Sequence, residues 1–144
     1  KEPNMLNHLK CLAAASVILA SFIITGCASA PETGEDAVKQ RAEQRWEAIF
    51  AREYASAYEF YSPGYRSKYS AVDLEIALRV QKVRWISADY VDHSCEEKSC
   101  TVRFNLGYKV AAPVPGIDVW TGWDTIEEQW IQTGGEWWYI PTKQ

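Results

Sequence analysis

The chain has 144 residues, 15 basic and 19 acidic side chains and a formal net charge of −4. That length gives one compact domain and not two once any leader is set aside. A mildly acidic balance without a basic stripe argues against nucleic acid as a partner. Seven tryptophans and a 47% apolar content exclude a disordered chain.

The N-terminal residues read as a leader. Lys10 closes a weakly basic stretch that also holds His8, and Cys11 to Ile24 is almost uncharged and apolar. Such a run is short for a spanning helix and suits a signal-peptide core. Ile24-Thr25-Gly26-Cys27 follows directly, and it resembles the bacterial lipobox. There a peptidase needs small residues before its cut, and the cysteine thiol carries diacylglycerol. No basic stop-transfer cluster follows, since the next residues are Ala28-Ser29-Ala30-Pro31-Glu32. By resemblance to lipoprotein sorting signals, Ala28 and Ser29 lack the aspartate that retains such proteins in an inner membrane, which implies the outer membrane, facing the periplasm. Acyl chains contribute roughly 0.8 kcal/mol per buried methylene, so a lipidated Cys27 is a sufficient anchor. Met5 is one candidate start, with Lys1 to Asn4 then an upstream extension, and the sequence leaves the start open. The expected organisation is a leader over residues 1–26, a lipidated cysteine and tether over 27–35, and a domain over 36–144. Loss of Lys1, Lys10 and Glu2 with the leader leaves a net charge of about −5.

In the domain the first period is helical. Val38, Ala42, Trp46, Ile49 and Phe50 form one apolar stripe. Lys39, Arg41, Glu43, Gln44, Arg45 and Glu47 are assigned to the remaining surface. Thr33 and Asp36 have the spacing of an N-terminal capping pair. A second helix is expected from Tyr54 to Tyr61, stopped by Ser62-Pro63-Gly64. Ser70 and Asp73 form a second capping pattern that opens a short third helix through Leu74, Ala77 and Leu78.

Strand patterns begin at Gln81. The stretch from Gln81 to Ser94 is rich in β-branched and aromatic residues. From Thr101 to Val110 the alternation is clean, with Val102, Phe104, Leu106, Tyr108 and Val110 on one face. A proline-containing loop spans Ala111 to Gly116. Thr121 to Gln132 and Glu136 to Ile140 then pair through the tight Thr133-Gly134-Gly135 connection. The expected fold is α+β, with three N-terminal helices packed on a curved, cone-like antiparallel sheet of four or more strands.

Cys95 and Cys100 bracket a turn-like linker between two of these strands. In an exported protein an even pair reads as a disulfide, here across the mouth of a hairpin, where it would mainly pin register. The rival use, a metal site with His93, has no second ligand cluster to complete it.

The order of elements resembles the nuclear transport factor 2-like superfamily. The echoes are Arg45-Trp46-Glu47-Ala48, Tyr54-Ala-Ser-Ala-Tyr58, Tyr61-Ser-Pro-Gly-Tyr65, Thr125-Ile-Glu127-Glu128-Gln-Trp130 and Gly135-Glu-Trp137-Trp138-Tyr139-Ile140-Pro141. They cover most of Asp36 to Pro141. The resemblance implies a cone with an internal pocket, and it hosts both enzymes and non-enzymatic binding domains, so it does not select a reaction.

Among candidate sites, Glu128 shares a strand face with Ile126 and Trp130 and could act as a pocket base. Its plainer role is a buried or rim carboxylate paired with Arg45, Arg84 or Arg103. Tyr58 is the candidate hydrogen-bond donor beside it. Trp46, Tyr54, Tyr58, Tyr61, Trp85, Trp130 and Trp138 either line a pocket or fill the core. Trp120 and Trp123, next to the proline loop, either form an exposed contact or lie buried in a long strand. The expected function is a lipid-anchored envelope protein with a non-catalytic binding or accessory domain. The alternative is a small isomerase- or hydratase-type enzyme using Glu128. Expected partners are the membrane, an envelope protein or small hydrophobic ligand, and a second copy in a homodimer. No cofactor or metal is implied.

Overall fold

The computed structural model of the chain describes residues 34–111, 116 and 119–142. The leader, Cys11, Cys27 and Thr33 lie outside them. Helix α1 runs Glu35–Ala51, and its Val38, Ala42, Trp46 and Ile49 are buried as their spacing requires, whereas Phe50, also assigned to the stripe, is exposed. Arg45 is the exception to the assigned polar surface, being only 3% exposed. It stands three residues after Ala42 and four before Ile49, on the apolar stripe itself. The N-cap position is held by Gly34 with no side-chain cap bond. Arg52 ends the helix in the left-handed region, φ 63°, and the Glu53 amide donates to the Ala48 carbonyl at 2.9 Å.

Three short helices follow: α2 (Tyr54–Tyr58), α3 (Pro63–Arg66) and α4 (Ala71–Arg79). The second helix stops before the expected Tyr61 because the chain there pairs with the sheet. The Ser62 amide donates to the Tyr139 carbonyl at 2.9 Å, and the Tyr139 amide to the Phe60 carbonyl at 2.8 Å. Ser62-Pro63 does more than stop a helix. Ser62 caps α3 by accepting from the Tyr65 amide, and Pro63 occupies its first turn. Helix α4 opens on the capping box of Ser70 and Asp73.

Strands β1 (Arg84–Glu96), β2 (Ser99–Ala111), β3 (Val119–Thr133) and β4 (Glu136–Ile140) form one antiparallel sheet in chain order. Cys95 and Cys100 are direct cross-strand partners at the β1–β2 turn, bonded as a disulfide with Cα atoms 4.0 Å apart. On β2, Val102, Phe104 and Leu106 are fully buried. Their partners on β3 are Glu128, Ile126 and Asp124, and directly paired residues share a face. This inner face meets α1, where Trp46 lies edge-on to Phe104 and Trp85.

The expected three-helix cone is therefore overturned. Four helices replace three, and it is α1 that packs across β1, β2 and β4, whereas α2 packs on α1 and α4. Separate stop and start signals at Arg52, Ser62-Pro63 and Ser70 cut the helical stretch into pieces. At 1.5 Å per residue, the last three are too short to cover a sheet of this length.

Candidate functional site

A cavity of about 420 Å³ lies between α1, α4 and the sheet. Its apolar wall comes from Trp46 and Ile49 on α1, Leu74 and Leu78 on α4, and Trp85, Leu106 and Ile126 on the strands. Tyr61, Tyr65 and Tyr139 supply a phenolic side. Exposed Gln81, Lys82 and Thr142 stand at the rim.

The polar floor is Arg45 with Glu128, which is 1% exposed. Alternation puts Glu128 on the inner face of β3, and the helical stripe brings Arg45 down onto it. The two form a buried ion pair from Nη2 to Oε1. Glu128 Oε2 accepts from Trp130 Nε1 at 3.1 Å, so both carboxylate oxygens are engaged. Arg45 Nη1 donates to the Tyr61 hydroxyl at 3.5 Å. The guanidinium carbon lies 4.1 Å from the Tyr139 ring centre and 4.7 Å from that of Trp46. Arg45 Nε and Trp46 Nε1 are buried without an acceptor.

Burial is the largest single influence and works against the Arg45 charge, but Glu128, Tyr61 and Tyr139 together outweigh it, and the guanidinium is held above its ordinary range. Burial pushes the Tyr139 phenol up to about 12 and also raises Tyr61, both against the opposing pull of Arg45. The phenols therefore stay neutral hydrogen-bonding groups over the whole physiological range.

The other candidates separate. Trp46 lines the cavity. Trp130 is fully buried in the core and reaches the site through its indole donor. Tyr58 donates to the Tyr69 carbonyl at 2.7 Å, outside the cavity lining. Tyr54 lines a neighbouring cavity with Phe50, Arg52 and Arg79. Trp120 and Trp123 lie within β3, not in a loop, and are 60% and 66% exposed. Three residues apart on a strand, they face opposite sides of the sheet and make no joint surface. His93 Nδ1 shares a hydrogen bond with the Tyr90 hydroxyl at 2.7 Å. Among the described residues no three His, Cys, Asp or Glu side chains group to hold a metal. Among them, too, no helix is long and apolar enough to cross a membrane.

Sequence reading underrated Arg45 and Tyr139. The signal for Arg45 was its place on the α1 stripe. For Tyr139 it was the bridge to Tyr61, which a local pattern does not contain.

No known family profile matches the chain, and no curated protein does. A solved structure does resemble it: a SEC-C motif containing protein from Rhodopseudomonas palustris, studied in solution. The match has a TM-score of 0.54 and 12% identity, and covers 70% of this chain and 73% of that one. At this identity the likeness is one of fold alone. It overturns the expected membership of the nuclear transport factor 2-like superfamily. The motifs behind that expectation have local packing explanations. Trp46 packs on Trp85 and Phe104, and Tyr61 meets Tyr139 edge-on at 5.1 Å. Aromatic side chains dominate the burial of a small core, and that alone gives these residues a role.

Proposed function

We propose that the chain is a lipid-anchored envelope protein whose domain binds a small ligand without transforming it. The anchor reading rests on the Ile24-Thr25-Gly26-Cys27 lipobox, and the outer-membrane destination on Ala28-Ser29. The binding reading rests on one observation: a cavity of about 420 Å³ whose only buried carboxylate is already tied at both oxygens, to Arg45 and to Trp130, among the described residues.

A general base needs a carboxylate oxygen turned toward the substrate proton. Glu128 would have to break a buried ion pair to provide one. The same arrangement suits holding a molecule. Aromatic and aliphatic walls favour a flat, mainly apolar ligand, with a few convergent polar groups to orient it. The neutralised Arg45–Glu128 floor disfavours a strongly charged ligand. Arg45 Nε and Trp46 Nε1, donors without acceptors, favour one that carries a carbonyl or hydroxyl oxygen.

Native mass spectrometry of the processed protein, released from membranes in mild detergent, tests both parts. The expected spectrum shows a diacylglyceryl mass on Cys27 and a retained small molecule. Leu78→Trp, which fills the cavity, should abolish retention while thermal stability is kept. An empty protein with no thermal shift toward small aromatic carbonyl compounds would sink the binding reading. An unmodified Cys27 would sink the anchor reading independently.

A further inference from the structure

Helix α4 is apolar on two sides. Leu74 and Leu78 face the cavity. On the opposite side Val72, Ile76 and Val80, each four residues from the next, are 61%, 54% and 72% exposed, and Tyr69 just before the helix is 51% exposed. Successive fours place them in one stripe. A contiguous exposed apolar stripe normally marks a contact surface, and nothing within the described chain covers this one.

Charge distinguishes the same segment. In a chain of net charge −4, the stretch from α3 into β1 carries Arg66, Lys68, Arg79, Lys82 and Arg84 against Asp73 and Glu75. Asp73 is engaged in the Ser70 capping box, Glu75 pairs with Arg79 at 2.8 Å, and Arg66 pairs with Glu59. Lys68 and Lys82, both exposed, bracket the stripe at its two ends. The remainder of the domain is acidic, so the basic excess is local.

We propose that the outer side of α4 is a bilayer-docking surface for an anionic membrane. Tyr69, Val72, Ile76 and Val80 enter the interface, and Lys68 and Lys82 meet headgroup phosphates. Four side chains fall well short of the roughly 20–30 residues a side of a stable protein interface. It matches the apolar face and basic flanks of an interfacial helix. The proposal rests on the lipid-anchor reading of Cys27, which brings the domain to the surface. Seven residues separate Cys27 from Glu35, eight chain steps that can reach at most about 28 Å, against about 25 Å for the length of α1. The tether thus permits the domain to lie on its side.

The test uses the full-length protein, processed by its host and reconstituted into vesicles, with spin labels at Ile76→Cys or, as a control on the far sheet face, Glu127→Cys. In vesicles containing phosphatidylglycerol, the Ile76 label should be shielded from an aqueous nickel chelate and accessible to oxygen, with the Glu127 label open to the chelate. Each lysine near an anionic surface is worth about fivefold in partitioning, so Lys68→Gln with Lys82→Gln should lower the protected-to-exposed ratio about 25-fold. Pure phosphatidylcholine should lower it likewise. An Ile76 label as open to the chelate as the Glu127 label, on lipidated protein, overturns the proposal. Shielding from both chelate and oxygen overturns it as well, because it indicates a protein cover. A mass without lipid on Cys27 overturns the anchor reading instead. Flotation of that unlipidated chain with anionic vesicles would still support docking, and its failure to float would overturn it.

Discussion

The two ends of the β2–β3 ladder are built from the same alternating pattern and have opposite fates. At one end Val102, Phe104, Leu106, Glu128 and Trp130 lie under α1, all essentially inaccessible to solvent. At the other, Tyr108 and Val110 are half-buried, and their neighbour Trp120 is 60% exposed beside Val83 and Trp85. The cause is length. Helix α1 has 17 residues and spans about 25 Å, whereas the 13 residues of β2 span about 44 Å. The inner face outruns its cover, so burial on β3 is decided by where α1 ends and not by the strand's own sequence. The covered end can hold an ion pair out of water. The uncovered end leans its rings on glycine: a Cβ on Gly122 would meet the Tyr108 ring at 2.6 Å.

The sharpest way to test the covered end is to unpair it. Glu128→Leu leaves Arg45 as a buried lone charge and should cost about 3–5 kcal/mol in urea unfolding. Adding Arg45→Met should recover most of that loss. If the double variant stays as unstable as the single one, the pair does not act as a closed unit. A smaller effect appears at high pH. The Tyr139 phenol is neutral in the fold and raised to about 12, against about 10 in the unfolded chain. Because the folded state holds this proton more tightly, the contribution is intact below pH about 10 and is lost as pH rises through about 12. Its size is about 2–3 kcal/mol, and Tyr139→Phe should flatten the loss in alkaline denaturation.

Much of the sheet was legible because period two survives any tertiary context. The clean alternation from Thr101 to Val110, the Gly134-Gly135 turn and the Cys95–Cys100 pair each sit where local pattern puts them. The helical part was less legible. Tyr61 is helix-compatible by composition, but its neighbours' backbone groups bond to Tyr139, 78 positions away in sequence, and no local signal carries that pairing. Arg45 was named as one partner for a buried Glu128, and the fold pairs the two, but its residue type had also placed it on the polar surface of α1, against its position. The site itself was half legible. Glu128, Trp46 and Trp130 were named, but Trp130 acts from the core. Tyr58, offered as the donor, has its one hydroxyl proton on the Tyr69 carbonyl. Trp120 and Trp123 are both exposed, but an odd separation on a strand splits two side chains between faces, so they do not form one patch.

The uncovered end yields the two smallest predictions. Gly122→Ala forces the half-buried Tyr108 ring to move, and overpacking of this kind should cost about 1–3 kcal/mol. The ring is free to swing toward solvent, so the low end of that range is expected. Trp120→Ala should change stability by no more than about 0.5 kcal/mol, since 60% of this residue is exposed in the monomer. The same truncation at Trp130 should cost about 3–5 kcal/mol. That contrast between two tryptophans ten positions apart on one strand is the comparison reduced to a single measurement. Both variants can be unfolded in urea at several protein concentrations. If Trp120→Ala proves costly only at high concentration, a second copy covers this end of the sheet. If it is costly at every concentration, the cover comes from the chain itself, and the length argument for α1 fails.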